Sequence, residues 1–258
     1  MARKFRGSRD STTARSARSR ARTASRFERR WVCAASAVAA LLERGQAAGL
    51  RVRPHTAVMA FSSDAGQITG VLLASGEELH GDVVISCVGR WTQSLLAMAG
   101  VDVPMLAPDA PGSRVPGLVV RTTPIRSRLD SVVLADGLLI RPDAGGRLLL
   151  HSDALDRGLR GTTAPAEMAD ELVAQLARRM RGAEEARVQG AWVCLRALPA
   201  DLMPVVGWAL DGLYVVATHS GVTLAPALGE LVAGEVVDGR ESEELAPFRP
   251  GRFGRSLA

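Results

Sequence analysis

The 258-residue sequence lacks the features that mark several common classes of protein. Its three cysteines, Cys33, Cys87 and Cys194, form no C-x-x-C pair and are odd in number, which argues against a disulfide framework and fits a reducing cytoplasm. No apolar run approaches the roughly 18 residues of a membrane-spanning helix. The sequence also contains no G-x-G-x-x-G, the phosphate-binding turn of dinucleotide-binding folds. We therefore expect neither a secreted disulfide-rich domain nor a membrane protein.

Lysine is almost absent, and the basic charge is unevenly distributed. Lys4 is the only lysine among 32 basic residues, and the whole chain has a net charge of +5. Residues 1–30 hold 11 basic and 2 acidic side chains, so the remainder is net acidic. This first stretch has no hydrophobic periodicity, and we expect a disordered basic tail. Its role stays open between a solvated tail, a targeting segment and a nucleic-acid-binding arm, with nucleic acid the less favoured partner.

From residue 31 the pattern is that of a globular α/β protein with mixed α+β character. Four apolar runs in the middle recur about every ten residues between Pro, Gly and Asp, which predicts an antiparallel sheet. Val38, Leu41 and Leu42 recur at helical spacing before Gly49, which predicts a first helix, and further helices are expected near 92–99, 165–180 and 223–237. The runs that read as further strands are 50–53, 58–61, 68–73, 83–86, 188–195 and 213–217. The run at 83–86 is continuously apolar, as expected of a buried, parallel strand.

The segment from Gly212 to Pro226 reads as a strand, a tight turn and a helix. We expect Ser220 or Thr223 to cap this helix, and Gly221 would let a ligand approach the backbone closely. Unpaired N–H groups at a helix start, together with the helix dipole, favour a ligand group that gains negative charge. An ordinary strand–helix junction has the same pattern and is the alternative interpretation.

Two further segments contain candidate site residues. Arg196 follows an apolar run, and its guanidinium fork suits a substrate carboxylate. The alternative is a structural arginine paired with Asp201 or another carboxylate, because an unpaired buried charge is costly. The run Val83–Trp91 reads as a buried strand ending in a glycine turn, where doubly wound folds bind nucleotide cofactors. A core strand with a packed Trp91 is the alternative there.

In this order and at these distances, the segments resemble the flavoprotein superfamily of D-amino-acid oxidase, glycine oxidase and sarcosine oxidase. The resemblance runs from about Ala34 to Phe253, and the order of the motifs carries it more than any one of them. The stretches similar to family motifs are Gly49–Val52, Thr56–Val58, Val83–Trp91, Leu139–Pro142, Leu195–Gly207, Ala217–Pro226 and Phe248–Phe253.

The resemblance implies an FAD-dependent enzyme that oxidises an amino acid or a secondary amine by hydride transfer to flavin. It implies a partial, doubly wound FAD-binding domain over residues 31–103 and 205–258, with an antiparallel-sheet substrate domain over 104–204. Arg196 and His219 would bind the substrate, and neither a catalytic side chain nor a metal ligand is expected. Cofactor contacts are expected at Val58, Gly89, Trp91, Ser220, Gly221, Val222, Thr223 and Leu224.

The family begins with a strand, a G-x-G-x-x-G turn and a helix, and this sequence has no counterpart to them. We therefore expect a truncated form with exposed apolar sheet edges and weak or no FAD binding by this chain alone. Its expected partners are a small amine or amino-acid substrate and a chain that supplies the missing half. A non-catalytic binding or assembly subunit that keeps the substrate domain is the alternative function.

Overall fold

The computed structural model describes residues 24–26 and 33–254. The helices within these ranges are α1 (Ala34–Ala47), α2 (Thr92–Ala97), α3 (Asp153–Asp156), α4 (Ala166–Arg179) and α5 (Gly221–Val237). The strands are β1 (Ala24–Arg26), β2 (Val58–Asp64), β3 (Gln67–Leu73), β4 (Glu78–His80), β5 (Val84–Ser86), β6 (Pro116–Thr122), β7 (Val133–Ala135), β8 (Leu138–Asp143), β9 (Arg147–His151), β10 (Val188–Leu195), β11 (Val205–Leu210) and β12 (Leu213–Ala217). Short 3-10 helices cover Gly89–Trp91, Ala144–Gly146, Glu243–Phe248 and Pro250–Phe253.

The largest sheet has six strands in the order β1-β7-β8-β9-β6-β10, and all neighbours are antiparallel. Helix α4 covers one face of it. The buried residues of α4 are Ala169, Leu172, Val173 and Leu176, whose spacing puts them on one side of the helix. They pack against strand residues such as Leu118. The predicted antiparallel sheet in the middle of the chain is thus confirmed.

A smaller mixed sheet has the order β11-β12-β5. Strand β12 pairs antiparallel with β11 and parallel with β5, which confirms that the apolar run near Val84 forms a parallel strand. Leu213, Tyr214 and Val215 of β12 are fully buried. Strand β5 lies at the sheet edge, and its Ile85 is 43% exposed, although parallel strands are usually covered on both faces.

The third sheet, β2-β3-β4, is an antiparallel meander joined to the mixed sheet at one glycine. The Ile68 N–H donates a 2.9 Å hydrogen bond to the Asp211 carbonyl. The next residue, Gly212, has a φ of +76°, and a Cβ there would lie 2.0 Å from the Ile68 carbonyl oxygen. Only glycine tolerates both the positive φ and this close approach, so Gly212 fixes how closely the two sheets approach.

A buried carboxylate ties α5 to the end of the chain. Glu235 is 4% exposed and accepts hydrogen bonds from the Tyr214 hydroxyl (2.6 Å) and the Ser242 N–H (2.8 Å). The Arg249 guanidinium binds both carboxylate oxygens, at 2.5 and 2.7 Å. Bidentate pairing with Arg249, opposed by burial, lowers the pKa of Glu235 to about 2. The segment after α5 is therefore held by a charged pair as well as by packing.

Several local expectations need correction. The predicted strand at Leu50–Arg53 is wrong: these exposed residues pair with no strand in the described part of the chain. Strand β11 was not among the predicted strands. Ala24–Arg26, within the stretch expected to be a disordered tail, pair with β7, and the rest of residues 1–30 lies outside the described ranges. Among the helices described, none has the length and apolar character needed to cross a membrane.

Candidate functional site

Four of the predicted site residues line two concavities. The first, which we call the charged cavity, has a volume of about 610 Å³ and is lined by Arg196 and His219 together with the charged residues Arg114, Asp153, Asp156 and Arg157. The second, which we call the apolar groove, has a volume of about 700 Å³ and runs between β5 and α5 past Gly89 and Gly221. His219 lines the cavity while Thr218 and Gly221 line the groove, so one turn before α5 contributes to both.

Arg196 follows directly after β10 and is held by several partners at once. Its Nη1 donates to the carbonyl oxygens of Arg114 (2.8 Å) and Pro116 (3.0 Å). Its Nη2 donates to Asp156 Oδ2 at 2.5 Å, and Asp156 is buried. The structural pairing considered as the alternative is therefore present, with Asp156 and not Asp201 as the partner. Asp201 instead binds Arg252, at 2.7 Å.

Close packing fixes the position of this guanidinium. A Cβ added to Gly117 would lie 2.7 Å from Arg196 Nη2 and 2.8 Å from its Cζ, closer than real Cβ contacts come. The Arg196 head group therefore lies flat against the backbone of β6, and only glycine leaves room for it. Asp156 is fixed in turn, because its Oδ1 accepts the Leu118 N–H at 2.9 Å.

A cluster of His151, Asp153 and Asp156 lies beside Arg196, and its ligand-type atoms are within 4.8 Å of one another. Arg196 Nη2 is 3.1 Å from His151 Nε2 and 3.4 Å from Asp153 Oδ1. The guanidinium thus supplies the positive charge of this cluster and stands where a metal ion would bind. A hydrogen bond from His151, opposed by burial, lowers the pKa of Asp153.

His219 lies in the middle of the turn between β12 and α5 and lines the charged cavity. Burial lowers the pKa of the imidazole, and the nearby positive charge of Arg196 lowers it further. Since an unperturbed histidine titrates near 6.5, the lowered pKa leaves His219 neutral at pH 7. It can then accept or donate one hydrogen bond without adding charge to the cavity.

The start of α5 keeps free backbone donors. The first helical hydrogen bond runs from the Leu224 N–H to the Ser220 carbonyl at 2.9 Å, so the N–H groups of Gly221, Val222 and Thr223 precede the helical ladder. The expected side-chain cap is wrong: Ser220 is the N-cap residue, but neither its hydroxyl nor that of Thr223 caps the helix. A Cβ on Gly221 would meet nothing within 4 Å, so this edge is open to a ligand.

The remaining predicted cofactor residues divide between the groove and other surfaces. Gly89 lines the groove in the left-handed region, with a φ of +58°. Trp91 is 59% exposed, and the Arg90 guanidinium lies 4.2 Å from its ring centroid. Val58 lies at the start of β2, in a different sheet from the groove strand β5, and lines neither concavity.

Sequence reasoning missed Asp156, His151 and Arg114. A signal was available for two of them, because His151-x-Asp153-x-x-Asp156 follows an apolar run directly. Such a polar pattern at the end of a strand suggests a site. Nothing in the sequence indicated Arg114, which lies 82 residues before Arg196 and joins the cavity through tertiary contact.

Comparisons with known proteins show which family the chain resembles. The family model described as FAD dependent oxidoreductase (DAO) matches residues 8–235. Glycine oxidase of Pseudomonas aeruginosa is 28% identical over 211 residues, which cover 80% of this chain and 55% of that protein. D-amino acid dehydrogenase of Methylobacterium sp. (strain 4-46) is 28% identical over 202 residues, which cover 76% of this chain and 46% of that protein.

A solved structure of glycine oxidase from Geobacillus kaustophilus aligns with a TM-score of 0.68 and 26% identity, covering 83% of this chain and 56% of that one. The chain spans about half the length of the curated relatives it matches. The family match covers most of the sequence and confirms the resemblance to glycine oxidase and its relatives. This chain belongs to the DAO family of FAD-dependent oxidoreductases.

Proposed function

We propose that the protein oxidises an amino acid or a secondary amine with FAD as the electron acceptor. The observation that carries the proposal is that one turn lines the charged cavity and leads into the open start of α5. His219 lines the cavity, and the free N–H groups of Gly221–Thr223 follow it within the same turn. A substrate group in the cavity and a flavin edge at the helix start would thus be neighbours.

The described residues fit the flavin end of FAD. The free donors and the dipole of a 17-residue helix suit an edge that gains negative charge, and Gly221 leaves the approach open. When bound, the flavin would supply hydride acceptance. Among the chain's own residues, Arg196, kept in place by Asp156, would form the cavity wall beside the substrate, and the neutral His219 can accept a hydrogen bond from the amine.

We propose that a segment carrying a G-x-G-x-x-G turn packs beside β5 and the apolar groove and supplies the pyrophosphate-binding part of the cofactor site. Two features support this. Strand β5 is an open parallel edge, and the apolar groove beside it is lined by Val216, Leu228 and Val232. Such a surface suits a further strand and its helix, because an exposed apolar patch of this kind marks an interaction site. The free thiols of Cys33, Cys87 and Cys194 suit cytoplasmic assembly.

A non-catalytic binding or assembly subunit is the second candidate. Both terminal nitrogens of Arg196 already have partners within the protein, which favours a structural role for this residue. An amino acid that stabilises the chain without any bound flavin would support this candidate.

The visible absorption spectrum of the purified chain, before and after addition of FAD, tests the proposal. We expect little bound flavin with the chain alone and a retained flavin band when a polypeptide with the G-x-G-x-x-G half is co-expressed. Anaerobic addition of glycine, sarcosine or D-alanine should then bleach that band. Absence of bound flavin in both preparations, or a band that none of these amines bleaches, would contradict the proposal.

A further inference from the structure

The charged cavity contains three arginines, of which only one is paired. Arg196 has hydrogen-bond partners on both terminal nitrogens. Arg114 and Arg157 also line the cavity, and both are exposed. Within residues 33–254 neither side chain takes part in a hydrogen bond or ion pair, so two arginines with available donors border the same cavity as His219.

The charges of the cavity do not cancel. Asp156 is matched by Arg196 at 2.5 Å, and Asp153 is within 3.0 Å of His151 and 3.4 Å of Arg196. Burial lowers the pKa of His219, and the positive charges of Arg196 and Arg114 add to that effect, so the field of Arg114 reaches the cavity. Three arginines and two aspartates line the cavity, and the excess positive charge favours an anionic ligand.

We propose that the charged cavity binds a substrate with two carboxylates. Arg114 and Arg157 supply the guanidinium partners of these carboxylates, while Arg196 forms part of the cavity wall. The inference rests on the proposed function and names the substrate class of the same site. A free guanidinium edge binds one carboxylate with paired, charge-assisted hydrogen bonds, so two free arginines suit two carboxylates. The cavity volume of about 610 Å³ is ample for a small dicarboxylic amine.

Calorimetric titration of the full chain with iminodiacetate and with sarcosine tests the inference, because both are secondary amines and differ by one carboxylate. We expect iminodiacetate to bind about tenfold or more tightly than sarcosine, since a hydrogen bond to a charged group is worth about that factor. R114Q and R157Q should each weaken iminodiacetate about tenfold, and the double variant should remove its advantage. R126Q is the matched control, because Arg126 is exposed and lies outside the cavity.

Equal affinity for the two ligands would overturn the inference, as would binding of neither. An iminodiacetate affinity that survives in the double variant would also overturn it. The proposed function fails on a different measurement, the flavin spectrum and its bleaching. A flavin-loaded protein that sarcosine reduces, but that shows no preference for iminodiacetate, would leave the proposed function standing and remove only the two-carboxylate inference.

Discussion

Replacing Glu235 by Gln removes the charge that holds the segment after α5. The carboxylate is buried, and its pKa is about 2 in the folded protein against an ordinary value of 4.5. The difference of about 2.5 between the folded and the ordinary pKa corresponds to about 3 kcal/mol of folding free energy at pH 7. Loss of one partner of a buried ion pair costs a similar amount, because Arg249 would then have the exposed Glu241, 3.8 Å away, in place of a buried carboxylate. We expect E235Q to lower the free energy of unfolding by about 3 kcal/mol at pH 7.

The same pKa shift fixes the direction of the pH dependence. The folded-state pKa is depressed, so the stabilisation is fully present above the unfolded value of 4.5 and is lost as pH falls through 2. The difference between wild type and E235Q should therefore shrink from about 3 kcal/mol at pH 7 to about 1.5 kcal/mol at pH 3. Urea unfolding followed by circular dichroism at the two pH values measures it.

A matched control lies on the same helix. Glu230 is exposed, and E230Q should change the free energy of unfolding by no more than about 0.5 kcal/mol. A loss below about 1 kcal/mol for E235Q at pH 7 would refute the reasoning, since the paired charge would then contribute little. A gap of equal size at pH 3 and pH 7 would also refute it, because the loss would come from packing and not from charge.

Two further substitutions test the charged cavity. G117A should displace the Arg196 guanidinium, whose Nη2 would lie 2.7 Å from the new Cβ, and cost about 1–3 kcal/mol in urea unfolding. In the control G229A in α5, the added Cβ meets nothing within 4 Å, and the variant should be neutral or stabilised by up to about 1 kcal/mol. If G117A and G229A changed the free energy of unfolding equally, the packing argument would be contradicted. D156N should cost about 3–5 kcal/mol because it removes the buried carboxylate of Arg196 and leaves the exposed Asp153, at 3.4 Å, as its acidic partner. D170N on the exposed face of α4 should change little, and a D156N protein as stable as D170N would exclude the ion pair as a support of the cavity.

Periodicity and turn residues were enough to predict most of the fold. The strands of the six-stranded sheet are short apolar runs between Gly, Pro and Asp, and such runs can be recognised from a few neighbouring residues. The error at Leu50–Arg53 has a physical cause. Alternation of apolar and polar residues makes a segment able to form a strand but does not supply a neighbouring strand for it to pair with. Strand β11 was missed because Gly207, with a φ of +147°, interrupts its apolar pattern.

The segments that line the candidate site could be predicted from the sequence, whereas most of the side-chain contacts within the site could not. The turn around His219 and the end of β10 at Arg196 were found from local pattern, and the structure puts both residues on one cavity. The pairing of Arg196 with Asp156 spans 40 residues, which no local pattern reveals. The capping of α5 failed for a geometric reason: Ser220 has a φ of −92° and a ψ of 35°, outside the extended region from which an N-cap hydroxyl usually reaches the helix.

The Arg196 contacts also bear on how the charged cavity can move. One guanidinium joins the carbonyls of Arg114 and Pro116 to the side chain of Asp156, and Asp156 in turn holds the Leu118 N–H. The entry to β6, the end of β10 and helix α3 are thus linked through a single head group. Local opening of any one of them breaks bonds to the other two, so the cavity wall should exchange its amide hydrogens as one cooperative unit. Ligand entry would then require either a path that leaves this unit closed or a sub-global opening of the whole wall.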